Sequence, residues 1–386
     1  MNREEATTTI VNSRAKNILA ELPTSFGKTK IALEWLKNKS GTTLIVVPRL
    51  VLIDNWLDEM QKWGCDRNVT FSTYVSLHKH AGYWDAIIFD ECHHLSDRCF
   101  DILESYKWGH AILLSATVNK NKKWQIRDSF NVQTIKVTAR EAIESNILPD
   151  PKVFLIPIYL DRSKKAYTII KNKGKGSPME IDYSERFKYT HIKYREIRIK
   201  CTQYEYYDDL CSIVYFFKKR MHMSQIMKNK YLQKCGERLK WLSQQKTGIG
   251  MHLLHLLRDK RTLTFCHSIE QTEILGKYCI NSKNKEAQAN LEKFNLKKIN
   301  HITACAMLDE GVNLVDCQVG LFVNLNASER MQKQRLGRIL RHPEPMIVIP
   351  FYKNTRDEEI VQKMLQDYNQ DLVEVIDYAE LENIDK

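Results

Sequence analysis

The sequence predicts an α/β protein built as two parallel-sheet units with a mainly helical, basic segment between them. Three observations predict it. Short apolar runs alternate with stretches of helical periodicity in the first third of the chain and again in the last third, the pattern of β-α-β units and a parallel sheet. Runs such as Ile87-Ile88-Phe89 and Ile112-Leu113-Leu114 are apolar without alternation, as strands covered on both faces are. The charge is also uneven. The chain carries +12 at pH 7, and residues 161–260, with 23 Lys and Arg against 10 Asp and Glu, hold a net +13.

Taken in order, the expected strands of the first unit are Asn17–Leu22, Thr42–Val47, Val69–Thr73, Trp84–Phe89, His110–Leu114 and Thr134–Val137. Helical patterns over Lys28–Lys37 and Val51–Trp63 lie between them, with apolar residues three and four apart. The pattern changes after about Arg140. Residues 161–260 read mostly as helices, with a loop at Lys171–Pro178 marked by Gly174, Gly176 and Ser177. Strand and helix alternate again from Arg261–His267 through His301–Ala304, Val319–Asn324 and Met346–Phe351, and a helix over Arg356–Tyr368 follows. The expected organisation is therefore 1–140, a first α/β domain; 141–260, linker and basic insert; and 261–386, a second α/β domain.

At 386 residues the chain is long enough for two or three cores. With 43% hydrophobic and 27% charged residues it has a soluble, globular composition, and no apolar run approaches the ~18 residues of a membrane span. The polar N-terminal stretch, with Glu4 and Glu5, does not read as a secretory signal. Ten cysteines without a CxxC pair argue against a zinc site or disulfide framework and fit a reducing, cytoplasmic compartment. The basic block also holds 13 Phe, Tyr or Trp, among them Tyr204, Tyr206, Tyr207, Phe216 and Phe217. Basic and aromatic together, it suggests a polyanion partner, nucleic acid above all. For any single Lys or Tyr, a solvated helix face or an inward-facing ring is the plainer reading.

Two strings carry hydrolytic chemistry. Leu22-Pro23-Thr24-Ser25-Phe26-Gly27-Lys28-Thr29 follows the first strand and opens a helix. Gly27 lets the backbone approach a phosphate, Lys28 places a cation on the β and γ phosphates, and the Thr29 hydroxyl ligates magnesium. The general phosphate-loop pattern has glycine where Leu22 stands. Asp90-Glu91-Cys92-His93 follows the buried run Ala86–Phe89, so its carboxylates emerge at the sheet edge where the phosphate loop also sits. Asp90 suits the magnesium ion, and Glu91 suits orienting and deprotonating the attacking water. A third string, Gln334-Arg335-Leu336-Gly337-Arg338-Ile339-Leu340-Arg341, puts Arg338 and Arg341 three apart, on one face of a helix. Two guanidinium groups there suit a γ-phosphate whose charge is spreading.

With these residues in hand, the sequence resembles the superfamily 2 DExH-box helicases and translocases. Thr24–Thr29 resembles their motif I, Pro48-Arg49 with Leu52 motif Ia, Asp90–His93 motif II and Ser115-Ala116-Thr117 motif III. Thr264–Ser268 resembles motif IV, Asp309-Glu310-Gly311-Val312-Asn313 motif V and Gln334–Arg341 motif VI. The wording is most similar to the branch of the TFIIH repair helicase and the type III restriction translocases. The resemblance implies two RecA-like domains with ATP and Mg2+ between them. It implies that Pro23, Thr24, Ser25, Phe26, Gly27, Lys28, Thr29, Asp309 and Gly311 surround the nucleotide. Thr29 and Asp90 would hold the metal, Glu91 would act as base, and Gln334, Arg338 and Arg341 would reach the γ-phosphate from the second domain. His93, Ser115 and Thr117 would couple hydrolysis to movement, and Pro48, Arg49, His267 and Ser268 would meet nucleic acid.

Three departures stand out. Ser25 occupies a position where motif I usually has glycine. The first glutamine of the chain is Gln61, so the upstream glutamine that reads adenine in many relatives is missing and the base preference stays open. Only 35 residues separate His267 from Thr303, which suggests a trimmed second domain and a viral or mobile-element enzyme. The expected activity is NTP-driven movement on nucleic acid, DNA favoured, by a monomer working with a separate nuclease or a replication or repair partner and with the insert as clamp. An RNA helicase, or a nucleotide-switched sensor or motor subunit that separates no strands, fits the same motifs.

Overall fold

The computed structural model describes residues 1–173, 195–305, 314–378 and 380. A six-stranded sheet is formed by β1 (Asn17–Glu21), β2 (Thr43–Val47), β3 (Val69–Thr73), β4 (Tyr83–Phe89), β5 (Lys107–Ser115) and β6 (Gln133–Lys136), in the order β3-β2-β4-β5-β1-β6. All its pairings are parallel. Its helices are α1 (Arg3–Val11), α2 (Lys28–Lys37), α3 (Val51–Lys62), α4 (Asp97–Leu103), α5 (Lys120–Phe130) and α6 (Ala139–Glu144). Alternate residues of β1 enter opposite cores: Ile18 and Ala20 join one cluster, and Leu19 joins the other. That two-sided burial is why these strands read as continuous apolar runs.

The second sheet contains β7 (Lys152–Ile158), β10 (Thr262–Phe265), β11 (Cys279–Ile280), β12 (His301–Ala304), β13 (Val319–Phe322), β14 (Met346–Tyr352) and β15 (Val373–Val375), in the order β11-β12-β10-β13-β14-β7-β15. It too is parallel throughout its described pairs. One sequence expectation is corrected here. Lys152–Ile158, assigned above to a linker, pairs along its whole length with β14, so the second sheet takes its first strand from well before residue 261. The basic segment is thus an excursion from the second domain rather than a bridge between domains.

The excursion is also less purely helical than expected. An antiparallel hairpin of β8 (Tyr167–Lys173) and β9 (Arg195–Cys201) precedes α7 (Gln203–Arg220) and α8 (Gln225–Gln245), and α9 (Thr247–Leu256) leads back to β10. Lys171 to Lys173 are therefore strand, not loop, and the rest of that expected loop lies outside the described residues. Tyr167, Tyr206, Tyr207 and Trp241 pack ring on ring, with centroids 5.4 to 6.1 Å apart. Tyr207, Phe217 and Leu242 are buried. Much of the aromatic content seen in the sequence is thus the excursion's own core. Lys246 and Asp357 form an ion pair of 2.7 Å, buried at 1% and 2% exposure, that pins its base to the start of α13 (Arg356–Leu365). The remaining helices of this domain are α10 (Ile269–Leu275), α11 (Ala287–Asn295) and α12 (Glu329–Ile339). No helix among the described residues is long and apolar enough to cross a membrane.

Candidate functional site

In a parallel sheet every strand delivers its C-terminal end to the same edge, and the register here levels the ends of β1, β4 and β5. Glu21 lies opposite Ser115, and Phe89 lies opposite Leu113 and Val46. The turn after β1, Asp90 after β4 and Ser115 at the end of β5 therefore meet at one edge. Leu22, where a glycine was expected, is wholly buried, and its N–H donates to the Ser115 carbonyl at 3.0 Å. That bond joins the phosphate loop directly to the end of β5.

Gly27 caps α2 with φ 95°, a backbone conformation that side chains rarely adopt. The α2 N-terminus then presents its unpaired N–H groups and positive dipole end beside Lys28 and Thr29. Phe26 is fully buried, so only its backbone can serve a ligand. Its carbonyl accepts a 2.8 Å bond from Arg3 Nε. Ser25 has φ 68°.

Behind the loop lies a charged network. Lys28 Nζ sits 2.9 Å from Glu91 Oε1. Glu91 Oε2 lies 3.3 Å from His93 Nδ1 and accepts from Ser115 Oγ at 3.5 Å, and His93 Nδ1 is 3.0 Å from Ser115 Oγ. Burial opposes ionisation of Glu91, yet the Lys28 and His93 charges outweigh it and hold the carboxyl below its usual range. Asp90 moves the other way, because burial and the Glu91 charge outweigh Lys28 and raise it. Asp90 Oδ2 accepts the Trp56 indole N–H at 3.0 Å, and the Asp90 carbonyl accepts from Tyr74 OH at 2.7 Å.

The second domain closes the cleft with α12. Gln334, Arg335 and Arg338 are buried. The helix ends at Ile339, so Arg338 and Arg341 do not share a helical face as the spacing suggested: Arg341 lies past the helix end. Both still line one cavity of about 600 Å³ with Thr24, Ser25, Gly27, Lys28, Thr29, Trp56, Asp90, Glu91 and Gln334. Two buried oxygens on its wall, Thr24 Oγ1 and Gln334 Oε1, have no hydrogen-bond partner among the described residues, as groups that await a ligand would. Oxygen donors with one or two carboxylates are what Mg2+ takes when phosphates complete its shell, and Thr29 and Asp90 fit that role.

The seam between the domains is tight at one point. A Cβ on Gly337 would stand 2.3 Å from Thr24 Cβ. Ser25 Oγ donates to the Gly337 carbonyl at 2.8 Å and accepts from Arg341 Nε at 3.2 Å.

Other expected residues lie elsewhere. Pro23 and Phe26 do not line the cavity. Thr117 N–H bonds to Ser115 Oγ at 3.4 Å and the Thr117 carbonyl accepts from that hydroxyl at 3.1 Å, behind the cavity rather than on it. Pro48 is half-buried and Arg49 exposed, both at the cleft edge of the first sheet after β2. Ser268 caps α10 by accepting from Gln271 N at 3.2 Å, and the His267 N–H donates to Gln271 Oε1 at 2.9 Å. Asp309 and Gly311 lie outside the described residues. Sequence reasoning missed Arg3, Trp56 and Tyr74. Trp56 sits on the apolar face of an amphipathic helix, where a tryptophan signals core and gives no sign of the carboxylate it reaches.

Residues 245–343 match the family model described as the helicase conserved C-terminal domain. A DNA 3'-5' translocase XPB2 of Sulfurisphaera tokodaii is 22% identical over 374 residues, which cover 91% of this chain and 81% of that protein. Among solved structures, Dbp5 of Saccharomyces cerevisiae bound to RNA and ADP BeF3 superposes with a TM-score of 0.59 at 12% identity, over 99% of this chain and 91% of that one. The Hef helicase domain of Pyrococcus furiosus superposes with a TM-score of 0.52 at 13% identity, over 94% and 97%. At such identities the structural likeness is one of fold.

Proposed function

We propose that this chain, a superfamily 2 helicase or translocase by its C-terminal domain, its relative and its fold, hydrolyses ATP to drive movement along DNA. The observation that carries the reading is the shared cavity: Lys28, Thr29, Asp90 and Glu91 of one sheet face Gln334, Arg338 and Arg341 of the other domain across about 600 Å³. A site assembled from two bodies is complete only when they close, which converts hydrolysis into relative motion.

In this reading Glu91 orients the attacking water and takes its proton. The His93 and Ser115 bonds to that carboxylate relay its state to the end of β5. Lys28, Arg338 and Arg341 neutralise charge that develops on the transferred group. Thr29 and Asp90 would hold Mg2+, which would supply Lewis-acid stabilisation of the phosphates. DNA is favoured because a relative aligned over 91% of this chain is a DNA 3'-5' translocase. The basic excursion acts as the clamp, through its charge more than its rings, since Tyr167, Tyr206, Tyr207 and Trp241 are spent on one another. The protein works as a monomer in a reducing compartment and serves a separate nuclease or repair partner.

The test is NTP hydrolysis measured with single-stranded and duplex DNA and RNA, with strand displacement in parallel and Glu91→Gln as control. DNA should raise the rate, and Glu91→Gln should abolish it. Full activity in Glu91→Gln would overturn the site. Stimulation by RNA alone would overturn the DNA track, and stimulation by no nucleic acid would overturn the motor.

A further inference from the structure

Ser25 stands where the resembling family usually carries glycine, and its backbone lies in the left-handed region at φ 68°. That conformation disfavours residues other than glycine, asparagine and aspartate. The serine at this position uses its hydroxyl across the seam. Oγ donates to the Gly337 carbonyl at 2.8 Å and accepts from Arg341 Nε at 3.2 Å. Both partners belong to the second domain, and Ser25 belongs to the phosphate loop of the first. Thr24, its neighbour in sequence, meets Gly337 so closely that no Cβ fits between them. One hydroxyl thus lies at a close approach of the domains and holds an arginine of the facing string.

We propose that Ser25 is a positioning residue for Arg341. An arginine side chain samples many rotamers, and ordering it costs conformational entropy. A hydrogen bond at Nε, the nitrogen nearest the chain, fixes the plane of the guanidinium while leaving its position tied to the phosphate loop. Closure of the cleft then delivers Arg341 to a bound triphosphate in one geometry rather than many. The family's glycine satisfies the backbone but offers no such bond. This chain accepts an unfavourable backbone at Ser25 and gains a link between the loop and the arginine.

The proposal rests on the hydrolysis reading above, and its test separates the two. Wild type, Ser25→Gly, Ser25→Ala, Arg341→Ala and the double variant Ser25→Gly/Arg341→Ala are compared for kcat and KM with ATP and for thermal unfolding. Ser25→Gly suits the left-handed backbone, so it should fold at least as well as wild type. Loss of the hydroxyl should lower kcat about 10-fold, equivalent to about 1.4 kcal/mol, with KM changed less than about twofold. In the Arg341→Ala background the same change should cost nothing more, because its partner is gone. Wild-type kcat in Ser25→Gly, a raised KM with kcat intact, or losses that multiply in the double variant would each overturn the proposal. Absence of hydrolysis in the wild type would instead overturn the underlying reading.

Discussion

The substitution Gly337→Ala separates catalysis from stability at the domain seam. Glycine inside a helix is destabilising by about 1 kcal/mol relative to alanine, so by propensity alone the change should strengthen α12. The structure opposes it for a different reason. The new Cβ would lie 2.3 Å from Thr24 Cβ and 2.4 Å from Thr24 Cγ2. Carbon atoms in contact prefer about 3.5–4.0 Å, so the surfaces must separate by roughly 1.5 Å. Thr24 and Gly337 lie on different domains, so the strain is relieved by opening the cleft rather than by unfolding either core. Arg338 and Arg341 move away from Lys28 and Glu91 with it. Misplacement by ~1 Å can cost about 100-fold in rate. The expected result is a kcat reduced about 100-fold, with the unfolding temperature unchanged or raised by a few degrees. Steady-state hydrolysis and a thermal melt on the same preparation decide it. Wild-type kcat would refute the close approach of Thr24 and Gly337. A large fall in Tm would refute the claim that the contact lies between domains rather than within one.

Three further outcomes follow from the same structure. Trp56→Phe keeps the buried ring but removes the N–H held by Asp90 Oδ2, and should raise the Mg2+ concentration for half-maximal hydrolysis about 10-fold; a Mg2+ titration at saturating ATP measures it. Lys246→Ala strands the buried Asp357 carboxylate and should cost about 3–5 kcal/mol in urea unfolding, whereas Lys246→Met with Asp357→Leu should recover most of it. Lys228 and Lys230 are exposed on α8. Replacing both by glutamine should weaken DNA binding without changing DNA-independent hydrolysis, and should flatten the salt dependence by about 0.7 per lost contact on single strands; anisotropy across a salt series reads both.

Several parts of this protein were legible in the sequence because their signals are local. The apolar runs of β1, β4 and β5 come from burial on both faces, and Gly27, Lys28, Asp90 and Glu91 declare their chemistry by following those runs. The structure draws Thr24, Lys28, Thr29, Asp90 and Glu91 to one cavity because parallel strands share an edge. Lys152–Ile158 was not legible as a sheet strand. It contains Pro157, follows a change of pattern and finds its partner, Met346–Tyr352, almost two hundred residues away. The aromatics of the excursion looked like a binding surface because composition cannot tell a ring packed on a ring from a ring offered to solvent.

By itself the sequence determined which chemistry the chain carries and on which strand ends it sits, since residue type and periodicity are properties of neighbours along the chain. The tertiary structure alone decided which distant residues meet at the site and across the cleft. It placed Trp56 on Asp90, set Gly337 against Thr24 and brought the Ser25 hydroxyl between Gly337 and Arg341. Those are contacts between residues 34 to 316 positions apart. The first arises from how α3 packs beside the end of β4 and the other two from how the two sheets meet, and no short window of sequence contains both partners.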